Sequence, residues 1–434
     1  LQTVYIIGGG LAGSEAAYQL ASRNIPVKLF EMRPQKMTPA HSGGSFAELI
    51  CSNSLKSESP ETGAGLLKAE LEMMGSLLIR IAKECRVPAG GSLAVDRDKF
   101  SCMVTSSLEQ MNNIEIIREE VADIPADRPL IVASGPLTSD LLAEKIKNIM
   151  GGGLYFFDAL APIVDFDSID LSKCFFKSRY GKGEPDFLNC PMAKEEYDAF
   201  YDALTDAGKV EYHDFEKLNV FEGCMPVEEM ASRDRKTLCF GPMKPVGLEH
   251  PETDKRYYAV LQLRKENEEG TAYNLVGCQT KMKMAEQKRV FSMIPGLENA
   301  EFLRYGSLHR NTYIHSPGKL DDRFRYEEGF YFAGQITGVE GYIESIASGL
   351  TAAYDLSQRM LGSESRSFPR ECALGSLGRY VTDKFEGTRK KYVPSNFHFG
   401  MLPAPEERIS DKKLKKKMMS DKALNSLKEF LNLK

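Results

Sequence analysis

Apolar residues open the chain as a short β-rich run, Val4-Tyr5-Ile6-Ile7, that stops at Gly8-Gly9-Gly10 and resumes with helical spacing from Leu11 to about residue 22. Strand, glycine turn and helix therefore follow one another within the first two dozen positions. A second apolar run at residues 27–30 predicts the next strand. Far downstream the same signal returns at residues 329–332, leads into Ala333-Gly334-Gln335-Ile336-Thr337-Gly338, and is followed by helical apolar spacing over 342–350. The middle of the chain reads differently. It has short mixed strands at 257–263 and 274–278, turn clusters at 181–185 and 241–245, and an acidic helical stretch at 193–204, a pattern of α+β type. The pattern predicts an α/β protein in which both ends of the chain build one Rossmann-like domain, residues 1–155 and 296–434, around an α+β insertion domain at 156–295. No internal repeat is visible.

The first turn has the residues a dinucleotide requires. Gly8 makes the tight turn, Gly10 lets the backbone approach a pyrophosphate, and Gly13 lets the helix pack closely on the strand, with Gly9, Leu11 and Ala12 completing the loop. The helix N-terminus adds unpaired N–H groups and a positive dipole end for phosphate. Glu31, at the end of the second strand, is placed to accept hydrogen bonds from ribose hydroxyls. No other glycine cluster repeats the pattern. The downstream turn at Gly334, Gln335, Ile336 and Thr337 is suited to cover the far end of a long cofactor, which favours FAD over NAD and a fold of the two-dinucleotide-binding flavoprotein type.

With 434 residues, the chain is long enough for two or three domains. Hydrophobic residues at 42% and charged residues at 27% exclude a disordered chain or a small disulfide scaffold. A net charge of −5 excludes a wholly basic nucleic-acid coat and leaves local patches open. The longest apolar stretch, 151–166, is broken by Asp158, Pro162 and Asp165, whereas a membrane span takes about 20 apolar residues. No membrane association is expected, and because the first residues already read as a strand, no signal segment is expected either. The expected location is the cytoplasm. Nine cysteines without CxxC or zinc-like spacing fit free thiols in a reducing compartment, and no metal site is expected.

The tail has its own character. Residues 407–434 hold nine Lys/Arg and four acids, with Lys412, Lys413 and Lys415 to Lys417 in a dense run and Leu424, Leu427 and Leu431 on one helical face. This is either a solvated helix packed on the body or a contact for polyanionic phosphate. Smaller basic groups lie at 233–236, 281–283 and 288–289.

Two cysteines keep unusual company. Cys51 follows a polar Gly/Ser stretch, His41-Ser42-Gly43-Gly44-Ser45, that is poor core material and suits a loop crossing towards the reactive end of a cofactor. Cys224 sits in Phe221-Glu222-Gly223-Cys224-Met225-Pro226, a turn pinned by glycine and proline, and Cys190 in Asn189-Cys190-Pro191 is its rival. A catalytic thiol needs a positive or hydrogen-bonding neighbour to hold it as thiolate.

At these residues the chain resembles the folate- and FAD-dependent tRNA (uracil-5-)-methyltransferase family, TrmFO, a shorter relative of the GidA tRNA-modifying flavoproteins. The resemblance runs through Ile7 to Ala16, Leu49-Ile50-Cys51-Ser52-Asn53-Ser54-Leu55-Lys56, the Cys224 turn, Phe240-Gly241-Pro242-Met243-Lys244-Pro245, Leu308-His309-Arg310-Asn311, and Phe332 to Tyr342. The stretch 395–401 and the lysine run are no part of it. The resemblance implies formation of 5-methyluridine at position 54 in the tRNA T loop, with carbon from 5,10-methylenetetrahydrofolate and electrons from NADH or NADPH through FAD. It also implies that one of Cys51 and Cys224 adds to carbon 6 of uracil, which makes carbon 5 nucleophilic, while the other works at the carbon-5 side. Cys224 is the favoured attacking thiol. The expected partner is tRNA through its T arm, with no obligate protein partner. Alternatives are the same chemistry on ribosomal RNA, a GidA-like modification of the wobble uridine, and an RNA-binding factor that holds FAD without methyl transfer.

Overall fold

The strand Val4–Ile7 (β1) lies inside a six-stranded sheet and the helix Leu11–Ala21 (α1) follows it, as the opening pattern predicts. The computed structural model describes residues 1–151, 153–181, 183–210, 225–383, 394–405 and 409–432, with backbone alone at 153–159 and 308–311. Small apolar residues of α1, Ala12, Ala16, Ala17, Leu20 and Ala21, face inwards. Asn24, at φ 59°, ends the helix in the left-handed region that asparagine tolerates, and the amides of Asn24 and Ile25 return to the carbonyls of Ala21 and Leu20. The chain then enters Val27–Phe30 (β2), which pairs in parallel with β1, Val4 opposite Val27.

Across the sheet the order is Arg325–Glu327, Phe330–Phe332, Leu130–Val132, β1, β2 and Ile114–Ile117. All neighbours are parallel except the antiparallel edge strand Arg325–Glu327. Val132 pairs with both Ile7 and Phe332, so three strands end level. The loops that follow them open side by side at the carboxyl edge of the sheet, where α/β proteins bind ligands. A strand from residue 330 is thus built into a sheet begun at residue 4. The helix Tyr342–Met360, which follows it, packs along α1. Both ends of the chain share one core, from Val4, Ile6 and Leu29 to Phe332, Ile346 and Leu350, and on to Ala423 and Leu427 of the last helix, Lys412–Phe430.

A second core belongs to an antiparallel sheet of order Phe175–Phe176, Phe187–Met192, Ala259–Lys265, Ala272–Leu275, Ile163–Asp165 and Phe302–Arg304. Its helix Lys194–Asp206 buries Tyr197, Phe200 and Leu204, at the spacing of one helical face, against Leu261 and Leu263. The strand Ala259–Lys265 reaches two residues beyond the apolar run at 257–263. Its last residues are Arg264 and Lys265, whose charge reads as loop until the alternation places Gln262 and Arg264 on one face. A ribbon of Gly153–Ala159 with Leu308–Ile314 links the two bodies. Among the described residues no helix is long and apolar enough to cross a membrane.

The contact between α1 and Tyr342–Met360 depends on absent side chains. A Cβ on Gly349 would overlap the carbonyl oxygen of Ala12. In an open helix Gly→Ala gains about 1 kcal/mol. Here Gly349→Ala should instead lower stability by about 1–3 kcal/mol, the usual cost of overpacking, read as a lower urea midpoint at unchanged slope.

Candidate functional site: a nucleotide cleft that opens onto a cysteine pocket

The cleft at the carboxyl edge of the sheet is lined by Gly8, Gly10, Leu11, Ala12, Glu31, Gly334 and Gln335 among others. A side chain built on Gly10 would meet nothing within 4 Å, whereas one on Gly13 would overlap the carbonyl of Gly8. Gly10 therefore faces open space and Gly13 faces the strand. No side chain caps the N-terminus of α1, so its leading amides are left to the cleft. An unobstructed glycine, uncapped helix amides and a carboxylate on the wall fit the pyrophosphate and ribose of a dinucleotide.

Glu31 is held in place. Its Oε2 accepts the Gly9 N–H at 2.9 Å, and its Oε1 accepts the backbone N–H and Nε of Arg33 at 3.0 and 2.9 Å. Arg33, only 2% exposed, also pairs with Glu48 at 2.9 Å. Glu48 in turn accepts the amides of Ser42 and Gly43. One chain of ion pairs thus folds the polar 41–48 loop onto the cleft. Burial pushes the Glu31 carboxyl up, but the bond to and charge of Arg33 outweigh it and hold the group below the ordinary range.

Of the other residues singled out from sequence, Gly9 lies under Phe46 behind the cleft wall. Ile336 and Thr337 are buried, with the Thr337 hydroxyl donating to the Gly334 carbonyl at 2.8 Å. Gly334 and Gln335 reach the cleft itself.

A second cleft, lined by Cys51, Ser52, Lys56, Arg264, Gln279 and Asn396 among others, adjoins the first. The two share Ile50, Gln335 and Tyr342 in their walls. The half-buried Cys51 is fixed by its backbone: the amides of Cys51 and Ser52 both donate to the phenolic oxygen of Tyr342, at 2.8 and 3.0 Å. Burial pushes the Tyr342 phenol well up, so it remains a neutral hydroxyl.

Three guanidinium groups close on this loop from below. Arg97 donates to the carbonyls of Leu49, at 2.5 Å, and Cys51, at 3.3 Å. Arg264 donates to Ser52 Oγ at 2.7 Å and Arg304 to the Ile50 carbonyl at 3.3 Å. Cys51 lies within electrostatic reach of all three. Their carboxylate neighbour is Glu266, which pairs with Arg97 and lies 3.9 Å from Arg264. Burial lowers Arg264 and brings Arg304 down to about 10, while Glu266 more than offsets burial at Arg97. At neutral pH the cluster keeps excess positive charge beside the Cys51 loop, the surroundings that favour a thiolate. None of these arginines was singled out from sequence. Arg97 comes from a helix start in the first body and Arg264 and Arg304 from two strands of the antiparallel sheet, and only the polar alternation of Gln262 and Arg264 is a signal for one of them.

Cys224 lies outside the described residues. Val227, three positions later, donates its amide to the Gln279 carbonyl at 2.7 Å, and Gln279 lines the Cys51 cleft. Cys190 is fully buried, with its sulfur 3.5 Å from that of Cys174. Its bond to Cys174 and its burial push the thiol well up, the reverse of what a nucleophile needs. The proline beside Cys190 is thus a sequence signal that an inert core thiol also carries.

Comparison with known proteins places this geometry. The family model described as "Glucose inhibited division protein A" matches residues 3–364. Proteins named methylenetetrahydrofolate–tRNA-(uracil-5-)-methyltransferase TrmFO are similar over nearly the whole chain. That of Natranaerobius thermophilus is 54% identical over 99% of both chains, and that of Bacillus subtilis is 51% identical over 98% of both. Among solved structures, Aquifex aeolicus GidA aligns over 99% of this chain and 76% of its own with a TM-score of 0.68 at 16% identity, a likeness of fold.

Two outcomes are expected. Glu31→Gln should weaken FAD binding about tenfold, a loss of about 1.4 kcal/mol typical of a charge-assisted hydrogen bond, measured by flavin fluorescence titration. Because Glu31 titrates lower folded than unfolded, its contribution to stability is present at neutral pH and lost as pH falls through the folded value. The variant should therefore show a flatter acid limb of stability. Tyr342→Phe removes the acceptor of two amides and should speed hydrogen exchange at Cys51 and Ser52 by at least about fivefold, given about 1–3 kcal/mol for a lost buried partner.

Proposed function

This chain belongs to the TrmFO family within the glucose-inhibited division protein A group, and we propose that it is itself a methylenetetrahydrofolate–tRNA-(uracil-5-)-methyltransferase. It forms 5-methyluridine in tRNA, with carbon from 5,10-methylenetetrahydrofolate and electrons from NADH or NADPH through FAD. The target we propose is the uridine at position 54 of the T loop, reached in the cytosol without a protein partner. The observation that supports this reading from the molecule itself is the junction of the two clefts: Ile50, Gln335 and Tyr342 stand in both walls.

FAD would be held by the α1 amides above Gly8, Gly10, Leu11 and Ala12, by Glu31 at the ribose, and by Gly334 and Gln335 at its other end. When bound, it supplies the two electrons that take a carbon at the formaldehyde oxidation level to a methyl group. The chain's own residues do the rest. A uridine extruded from its loop, at a cost of a few kcal/mol, enters the cleft beside Cys51. The Cys224 thiolate adds to carbon 6, and carbon 5 then bonds to the folate-borne carbon as one of that carbon's two bonds to folate nitrogen breaks. The proton on carbon 5 passes to the Cys51 thiolate as the second carbon–nitrogen bond breaks and tetrahydrofolate leaves; those two electrons complete the methyl group, and the sulfur–carbon 6 bond breaks as the ring recovers its double bond. Tyr342 keeps the Cys51 backbone fixed through this sequence, and Arg97, Arg264 and Arg304 stabilise negative charge on its sulfur.

The test is transfer of label from methylenetetrahydrofolate, with NADPH, to unmodified tRNA and ribosomal RNA in parallel. Label at the T-loop uridine of tRNA is expected. Label only in ribosomal RNA would replace the substrate, and none in either with a reducible flavin would reject the reading. Cys51→Ala and Cys224→Ala should each lower turnover at least a hundredfold and retain the flavin absorbance. Full activity in either variant removes that thiol from the mechanism.

A further inference from the structure

The helix Lys412–Phe430 buries residues only from Ser420 onwards, and Ala423 and Leu427 enter the core. Residues 411–418 are all exposed, Leu414 and Met418 included at 50% and 51%. These first two turns carry Lys412, Lys413, Lys415, Lys416 and Lys417, whose ammonium groups recur at i,i+3 and i,i+4 and repel one another. They also stand at the positive end of the helix dipole, where anionic side chains are the stabilising ones. The first turn holds no acid, and Asp411 only caps it.

Both effects act against the helix, and among the described residues none of these five lysines pairs with a carboxylate. The other basic groups do find partners: Arg235 with Asp198, Lys281 with Glu229, and Arg289 with Glu286. Local arrangements unfavourable in isolation occur where something outside the chain compensates them.

The position of the helix says what does so. Lys412, Lys413, Lys415 and Lys416 form one wall of a groove whose other wall includes Ser57, Glu61, Thr62 and Phe399, so that four ammonium groups outnumber one carboxylate in its lining. The same two stretches of chain build the Cys51 cleft: Ser54, Leu55 and Lys56 precede Ser57, and Ser395 and Asn396 precede Phe399. Groove and cleft therefore adjoin, with the exposed Lys56 in the wall of the cleft. We propose that the lysine turns and this groove are a track for the phosphate backbone of the RNA whose base enters the Cys51 cleft. The identity of that RNA as tRNA rests on the function proposed above. A concave, cationic track leading to a base-sized cleft matches a polynucleotide, which carries a charge at every residue while one of its bases is extruded.

Fluorescence anisotropy with an unmodified tRNA transcript across a salt series tests this on the full-length flavin-loaded protein. Exchange of all five lysines for glutamine (K412Q, K413Q, K415Q, K416Q, K417Q) should raise Kd at least about tenfold at about 0.1 M salt and reduce the slope of log Kd against log salt by about 2–4. The corresponding five-fold Lys→Arg variant should restore both. Because glutamine relieves the repulsion, the first variant should melt no lower than the wild type. Wild-type affinity and slope in the glutamine variant, a wild type that does not bind tRNA, or a lowered melting temperature in the glutamine variant would each overturn the proposal. Labelled methyl transfer run alongside separates the two inferences: a wild type that binds tRNA through these lysines and methylates nothing rejects the function and leaves the track.

Discussion

Two backbone amides, those of Cys51 and Ser52, share one acceptor, the phenolic oxygen of Tyr342, and the arrangement of the site follows from that contact. Tyr342 begins the helix that follows the returning strand Phe330–Phe332 and packs along α1. Its ring forms part of the wall of both the nucleotide cleft and the cysteine pocket. A hydroxyl kept neutral by burial can accept both amides without bringing a second negative charge towards the thiol. Charge is supplied instead from the other side, where Arg97, Arg264 and Arg304 bond to the same loop.

This explains why the two bodies of the fold meet where they do. Arg264 and Arg304 come from the antiparallel sheet, and Arg97 with the loop itself from the first body. Asn53, fully buried, donates across the same boundary to the Lys265 carbonyl at 2.9 Å. The Cys51 loop is part of the contact between the bodies, so anything that shifts one body against the other moves the loop relative to its cations. Buried guanidinium groups cost desolvation and are retained where their partners are fixed. Here the partners include the Leu49, Ile50 and Cys51 carbonyls and the Ser52 hydroxyl of the very loop they position.

Much of the fold was legible in the sequence because its signals are local. Strand, glycine turn and helix at the start are dictated by β-branched residues, glycine and small apolar spacing within twenty residues. The strand Val27–Phe30 appears where its apolar run stands. The return of Phe330–Phe332 to the sheet was legible because glycines and a helical pattern frame it. The site was legible only in part. Gly8, Gly10, Glu31 and Gln335 carry motif signals and line the cleft. The three arginines carry none, since each is an ordinary charged residue until two bodies bring it under one loop. Cys190 shows the same limit from the other direction: the Asn189-Cys190-Pro191 context makes it a candidate thiol, and only burial beside Cys174 identifies it as core.

A cofactor in the nucleotide cleft should reach Cys51, and a crystal structure of the FAD-bound protein measures this directly. The pyrophosphate is expected over Gly10 at the α1 N-terminus and the isoalloxazine ring beside Gln335 and Tyr342, with an open path to the Cys51 sulfur. A ring turned to the other end of the cleft, with protein between it and Cys51, would contradict this.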